Sequence, residues 1–487
     1  ARGMDDYVDT EKDLNAGKHP DAEGDKKRSY LEPDSIELEI IDYLDKNFDD
    51  VILIVNCNNA MELGWIEDYP NISTVIQVPG TGAYGLQALP EILRGEVSAS
   101  GRLTDTFAYS AFSSPAMMNM LDGEIIVDGK RVPNLFGQKN FDGYFYTSYS
   151  EGIYVGYRYY ETRYYDAVMG QGDATSMAEQ EVNASKENGK GSWDYASEVQ
   201  YPFGYGASLS EFEYSDFNVT RNADDTFTAT VKVTNTSNVE GREVVQLYVQ
   251  APYGDYEKEN GIEKSAIELL AFGKTGDLAK NESETVTLTF SMEDLKSYDQ
   301  NVNKTYVVSP GQYYFTIGKD SHAAVNNILR AKGKAASDLI ASPSEEIAGE
   351  DYALVDDSLN IAEADTETYS KDTTTGTEIT NQFDFASLKN IDPDYKVLSR
   401  SDWKNTYPET VGEVSSTPSK HSERVNGTDA NGNPEGYIYN LSLDKNSDTY
   451  KLMTSTDSLN PNKTVPEDVK WGQEGELDLV DLRGRDK

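Results

Sequence analysis

Phe227-Thr228-Ala229-Thr230-Val231-Lys232-Val233-Thr234 alternates apolar and polar side chains without a break. A period of two turns one face of a β-strand to a core and the other to water. The same alternation returns in Val245, Leu247 and Val249, in Val286, Leu288 and Phe290, and in Tyr313, Phe315 and Ile317. Turn signals separate these runs at Asn235 to Gly241, at Ala251-Pro252 and at Pro310-Gly311. About seven short strands between Phe212 and Gly318 predict an all-β sandwich of the immunoglobulin or fibronectin type, with bounds at 206–332.

Upstream the pattern is different. Ile36, Ile40 and Leu44 recur every four residues behind Pro33, which predicts an amphipathic helix ending near Asn47. Val51-Ile52-Leu53-Ile54-Val55 is a short, largely β-branched run of the kind that parallel sheets bury on both faces. A helical turn around Met61 to Ile66 and a second strand from Ser73 to Val78 follow. Pro79-Gly80-Thr81-Gly82 then breaks the chain before a helix from Tyr84 to Leu93 that Gly95 can end. This order predicts parallel strands joined by crossovers, so residues 1–110 read as part of an α/β sandwich, with a charged surface loop over residues 1–30.

Residues 111–205 read as a connector rich in Tyr, Gly and Asn. Within it, nine of the twenty-two residues from Tyr144 to Tyr165 are tyrosine, and such dense flat rings are expected to pack domains together. Residues 333–487 turn polar and read as a long extended tail with a few docked aromatics, too poor in apolar side chains to offset the entropy of ordering a third core.

Composition narrows the function. The 487 residues carry a formal charge of −42, which repels a nucleic-acid backbone or an anionic membrane surface. A neutral carbohydrate does not feel that field, and carboxylates and tyrosines suit a sugar site. No apolar run is long enough to insert in a membrane. Cys57 is the one cysteine and reads as a small core residue, and His19, His322 and His421 lie too far apart in sequence to suggest a zinc site or a catalytic triad. No metal or cofactor is expected.

Several blocks together resemble glycoside hydrolase family 3, the β-glucosidase and β-xylosidase family. Val51 to Asn56 followed by Met61-Glu62-Leu63-Gly64-Trp65 is similar to a strand and turn of that family's α/β sandwich. Pro79 to Gly85 and Leu93 to Phe107, the latter containing Ser100-Gly101-Arg102-Leu103, resemble its glycine-rich loop and the stretch beyond it, with Ala99 and Thr104 where proline is usual. Tyr149 to Tyr160, Tyr201-Pro202-Phe203-Gly204-Tyr205-Gly206, Gly241 to Val249 and Leu269 to Thr275 follow in the family's order, up to and through a fibronectin-III-like domain. The resemblance spans roughly residues 30 to 320, and it implies a fold of an α/β partial sandwich, then the β-sandwich, without the TIM barrel.

The resemblance also implies what chemistry to look for. A retaining glycosidase uses two carboxyl groups about 5 Å apart, one as nucleophile and one as acid/base. The family's nucleophile is an aspartate within Ser-Asp-Trp at the end of a barrel strand. Ser401-Asp402-Trp403 has those letters, but no buried apolar strand precedes it and no eightfold strand–helix repeat surrounds it, so the nucleophile is expected outside this chain. The acid/base glutamate lies in a glycine-flanked loop shortly before the first helix, where Asp21-Ala22-Glu23-Gly24-Asp25 makes Glu23 the candidate. Asp105 is expected at a strand end, and Glu151 is expected to pair with Arg158 or a backbone amide.

Ala1-Arg2-Gly3 resembles part of the acid/base loop and Asp478 to Gly484 resembles a lead-in to a barrel, so the chain is expected to be cut at both sides. The reading is therefore the non-barrel part of a bacterial β-glycosidase, outside the cell or on its surface. Its expected partners are a barrel-bearing chain or segment and an oligosaccharide, and alone it is expected to be inactive. The alternative is a non-catalytic carbohydrate-binding or adhesion module; such a module has no need of the Pro79 to Phe107 block.

Overall fold

The computed structural model describes residues 31–82, 84–110, 113–116, 123–127, 130–131, 145–146, 149, 151–172, 194–344, 352–381, 397–403 and 441–443. Glu23, His19 and His421 lie outside the described residues. Among the described residues no helix is long and apolar enough to cross a membrane.

The α/β segment forms much as its periodicity predicts. Helix α1 (Ser35–Asn47) follows Pro33 and is capped by Asp34, whose side chain accepts from the Ile36 and Glu37 amides while Glu37 reaches back to the Asp34 amide. Strand β1 (Val51–Val55) pairs in parallel with β2 (Ile72–Gln77), and a 3₁₀ turn at Gly64–Asp68 lies in the crossover. Helix α2 (Ala88–Leu93) comes next, and β3 (Phe107–Ala108) ends the segment by pairing with a later strand.

Strands β4 (Gly123–Val127), β5 (Lys130–Arg131) and β6 (Phe145–Tyr146) belong to a second compact unit, in which β5 and β6 are antiparallel to β4 and a strand at Leu441–Leu443 is parallel to it.

The connector contains a helix that the periodicity did not reveal. Helix α3 (Tyr157–Met169) buries every side chain from Tyr159 to Asp166. An all-round buried helix has no polar face, so the 3.6-residue pattern is lost. Helix α4 (Tyr195–Glu198) and β7 (Val199–Tyr201), the partner of β3, lead to the sandwich.

One sheet of the sandwich is the antiparallel set β12 (Ser283–Ser291), β9 (Thr226–Asn235) and β8 (Phe212–Arg221). The other runs β11 (Glu268–Lys274), β10 (Val244–Gln250), β15 (Gly311–Gly318) and β16 (Ala353–Ile361); the short helix α5 (Asp255–Asn260) lies between β10 and β11 in the chain, and β13 (Ser297–Asp299) and β14 (Thr305–Val307) form a separate antiparallel pair. The inward residues are those the alternation picked out: Phe227, Ala229, Val231 and Val233 face Val245, Leu247, Phe315 and Ile317 in one core. The edge strand β16 arises in the polar region after residue 333, where Ala353-Leu354-Val355 followed by Asp356-Asp357-Ser358 offers no long apolar run. Helix α6 (Ser321–Ala331), capped by Asp320, follows β15 and is buried along nearly all its length. A second core, separate from the sandwich core, gathers Tyr154, Tyr159, Tyr160, Tyr164 and Tyr165 with Val325, Ile328, Leu398 and Trp403.

Candidate functional site

Three of the sequence blocks singled out above meet at one junction. The Leu103 amide donates to the Tyr205 carbonyl at 2.8 Å and the Gly204 amide donates back to the Leu103 carbonyl at 2.8 Å. Gln246 from β10 donates to the Gly204 carbonyl at 3.1 Å, and the Tyr248 hydroxyl donates to Gln246 Oε1 at 2.7 Å. Arg102 meets Glu243 at 2.6 Å with both side chains nearly buried. Gly204 has φ +83°, and a Cβ there would run into Gln246; a Cβ on Gly206 would strike the Gly101 carbonyl. These glycines let two backbones touch, which is a structural reason for the block.

A seam of buried charges runs along α3. Asp166 accepts two bonds from Arg400, at 3.1 Å from Nε and 2.5 Å from Nη2, and a third from Trp403 Nε1 at 3.0 Å. Burial pushes the Asp166 carboxyl up, while the Arg400 guanidinium pulls it back. Glu161 accepts from Tyr195 at 2.7 Å and Ser321 at 3.1 Å and lies 2.8 Å from His322 Nδ1, whose other ring nitrogen faces the Ile340 carbonyl at 2.9 Å. The His322 and Tyr195 rings stack at 3.9 Å. Glu263 accepts from Tyr154, from Ser399 at 2.5 Å and from the Arg400 amide at 3.2 Å. Lys264 and Glu257 pair at 3.0 Å, both buried.

The carboxylates of Asp166, Glu161, Glu243 and Glu257 each face a fixed cation or imidazole inside the protein. A side chain so engaged can align segments, but it is not poised to attack an anomeric carbon or to hand a proton to a glycosidic oxygen. Glu198 differs: it is buried, its Oε2 has no hydrogen-bond partner among the described residues, and burial, partly offset by Arg163, pushes its carboxyl up to about 8.

The residues named from sequence are scattered. Asp105 is exposed and accepts from the Thr106 amide at 2.8 Å just before β3, the strand-end place expected of it. Glu151 is buried in the turn that leads to α3, and Arg158 lies 3.6 Å from Glu268. Asp402 sits in a turn closed by the Trp403 amide to the Ser399 carbonyl at 2.7 Å, and it is Trp403, fully buried beside Tyr154 and Tyr159, that does the anchoring. Cys57 is buried, with the Asn59 amide 3.3 Å from its sulfur. Among the described residues no cluster of His, Cys, Asp or Glu is arranged to hold a metal. The seam itself went unnoticed in the sequence, although charged residues inside a tyrosine run at Glu161, Arg163 and Asp166 were a usable signal.

Residues 12–157 match the glycosyl hydrolase family 3 C-terminal domain, and residues 243–321 match a fibronectin type III-like domain. The chain is 30% identical over 299 residues to β-glucosidase A of Butyrivibrio fibrisolvens, covering 58% of this chain and 29% of that protein. It is 30% identical over 303 residues to a β-glucosidase of Ruminococcus albus, covering 61% and 25%. Among solved structures, β-glucosidase 3B of Thermotoga neapolitana in complex with α-D-glucose aligns at 27% identity with a TM-score of 0.44, over 60% of this chain and 33% of that one. The chain thus spans less than a third of the length of these two curated relatives. Both domain matches fall in the order that the sequence blocks imply, and the chain therefore consists, over its recognised parts, of a glycoside hydrolase family 3 C-terminal α/β domain followed by a fibronectin type III-like sandwich.

Proposed function

We propose that this chain forms one wall of a β-glucosidase and acts only together with a barrel-bearing segment or chain. The assembly would remove terminal β-linked glucose, or xylose, from oligosaccharides with retention of configuration, outside the cell or at its surface. The observation that carries the reading is the family 3 match over residues 12–157, joined to a scaffold whose buried carboxylates at the seam are engaged by internal cations. Its relatives are named as β-glucosidases, and the chain spans only part of them. In this reading the barrel brings the aspartate nucleophile, and Glu23 is the acid/base candidate this chain contributes.

The test is hydrolysis of an aryl β-glucoside by the purified 487-residue chain, alone and with the barrel-bearing segment. Turnover is expected only in the mixture, and Glu23→Gln is expected to slow it by about a hundredfold or more, in the range of lost general acid/base catalysis. Robust turnover by the chain alone, abolished by Glu23→Gln, would overturn the proposal.

A further inference from the structure

Between β12 and β15 the chain folds back as the β13–β14 hairpin, and beside it lies a cavity of about 360 Å³. Tyr298 and Tyr306 stand directly opposite each other on the hairpin and both line the cavity, their rings 5.3 Å apart at 79°. Rings that serve only to fill a core are buried, whereas both of these are half-buried and form an apolar corner at the surface. The corner is held in place. Asp299, fully buried, accepts from the amides of Asn301 at 3.0 Å, Val302 at 2.9 Å and Asn303 at 2.9 Å and so closes the turn. The Tyr298 hydroxyl donates to the Lys304 carbonyl at 3.0 Å, and the Lys296 ammonium, 4.7 Å from the centre of the Tyr306 ring, steadies that ring.

The rest of the wall is polar and balanced in charge. Three cations line it, Arg158, Lys264 and Lys296, and so do three carboxylates, Glu263, Glu268 and Asp294, which leaves no net charge. A phosphate or an organic cation entering such a cavity would lose its hydration without meeting a surplus of opposite charge. A neutral molecule rich in hydroxyl groups meets donors and acceptors side by side. Lys264 is committed to Glu257 at 3.0 Å, and Glu263 to Tyr154, Ser399 and the Arg400 amide. Arg158 and Glu268 are held more loosely: they lie 3.6 Å apart, close enough to attract but too far for a hydrogen bond, and both are half exposed. A guanidinium has five N–H donors and a carboxylate two accepting oxygens, so both groups keep capacity for hydroxyls.

We propose that this cavity binds a sugar: a neutral pyranose, alone or at the end of an oligosaccharide, whose C–H face lies on the Tyr298–Tyr306 corner while its hydroxyls bond to Arg158, Glu268 and Ser297. A phenol ring matches the apolar face of such a sugar, and charged groups around it match the rim of hydroxyls with charge-assisted hydrogen bonds. The volume is at the lower end of small-molecule pockets, which suits one or two sugar units and not a long strand. All the groups involved lie within residues 158–306, so the site does not rest on the glycosidase reading. A chain that binds sugar here, yet hydrolyses none with any barrel partner, would sink that reading and leave this one.

The test titrates the purified 487-residue chain with glucose, cellobiose and xylobiose by isothermal titration calorimetry, and follows amide hydrogen exchange with the tightest of the three. At least one is expected to bind with a Kd in the millimolar range or below and to slow exchange at 297–307. Tyr306→Ala should weaken that binding about tenfold through the lost ring contact. Because this substitution touches the hairpin, Arg158→Gln, at a half-exposed position outside it, serves as the second variant; it should weaken binding about tenfold and leave the urea midpoint where it is. Inorganic phosphate and choline are expected not to displace the sugar. Failure of all three sugars to bind, protection confined to other residues, unchanged affinity in either variant, or displacement by phosphate or choline would each overturn the proposal.

Discussion

Replacing Arg400 by alanine removes the cation from a carboxylate that cannot reach water. Asp166 is about 1% exposed and Arg400 about 2% exposed at their side chains, so neither charge is solvated in the fold. Removing one partner of such a pair leaves the other as an uncompensated buried charge, which costs about 3–5 kcal/mol. The Trp403 bond at 3.0 Å remains and holds the loss toward the lower end. For a unit of this size each kcal/mol shifts Tm by roughly 2–4 °C, so Arg400→Ala should lower Tm by roughly 6–20 °C. Thermal and urea unfolding of the 487-residue chain followed by near-ultraviolet circular dichroism is a suitable assay, since Trp403 and the surrounding tyrosines report on this seam. Asp166→Leu combined with Arg400→Met supplies the control, because swapping the whole pair for apolar side chains is often neutral or stabilising. If Arg400→Ala costs under about 1 kcal/mol, or the double variant is worse than the single one, the seam is not a desolvated pair and the reasoning fails.

Glu198 should make stability depend on pH. Its folded-state pKa of about 8 lies above the ordinary 4.5, so the fold binds a proton that the unfolded chain releases; the contribution is complete below about 4.5 and is lost as pH rises through about 8, at up to about 1.4 kcal/mol per pH unit. Glu198→Gln should flatten the urea midpoint between about pH 5 and about pH 8, and superimposable profiles for the two proteins would refute this. Gly204→Ala must place a Cβ against Gln246 at φ +83°, which should destabilise by about 2–5 kcal/mol in chemical unfolding, combining the left-handed penalty with overpacking. Arg102→Ala strands Glu243 and should cost about 3 kcal/mol, whereas Arg94→Ala breaks the exposed 2.7 Å pair with Glu96 and should leave the urea midpoint essentially where it is; equal effects of the two would show that burial does not set the difference.

What the sequence made legible is what local periodicity can carry. β1 at Val51–Val55 and the inward rows of β9, β10, β12 and β15 follow from runs of five to ten residues read one at a time. The helix α3 did not follow, because a segment buried on all sides has no alternation to read. β16 lay hidden for the opposite reason, since an edge strand among Asp, Ser and Asn carries only a faint stripe. The seam was out of reach altogether: Asp166 and Arg400 are 234 positions apart and Asp166 and Trp403 are 237 apart, and no window along the chain links them. The letters Ser401-Asp402-Trp403 drew attention to the aspartate, yet the tryptophan is the residue that the fold uses.

In the proposed assembly the buried pairs would fix the register of the wall that this chain supplies. An apolar seam between α3 and residues 397–403 would be at least as stable, but apolar contacts tolerate sliding, whereas Asp166 can accept from Arg400 and Trp403 in only one register. Positioning for catalysis fails at errors of about 0.5–1 Å, so a wall gains more from one register than from a few kcal/mol. On this hypothesis the Asp166→Leu, Arg400→Met variant keeps its Tm while the barrel-complemented enzyme loses kcat with little change in KM. Full kcat in that variant would mean that the charges serve stability alone, and the case for alignment would be lost.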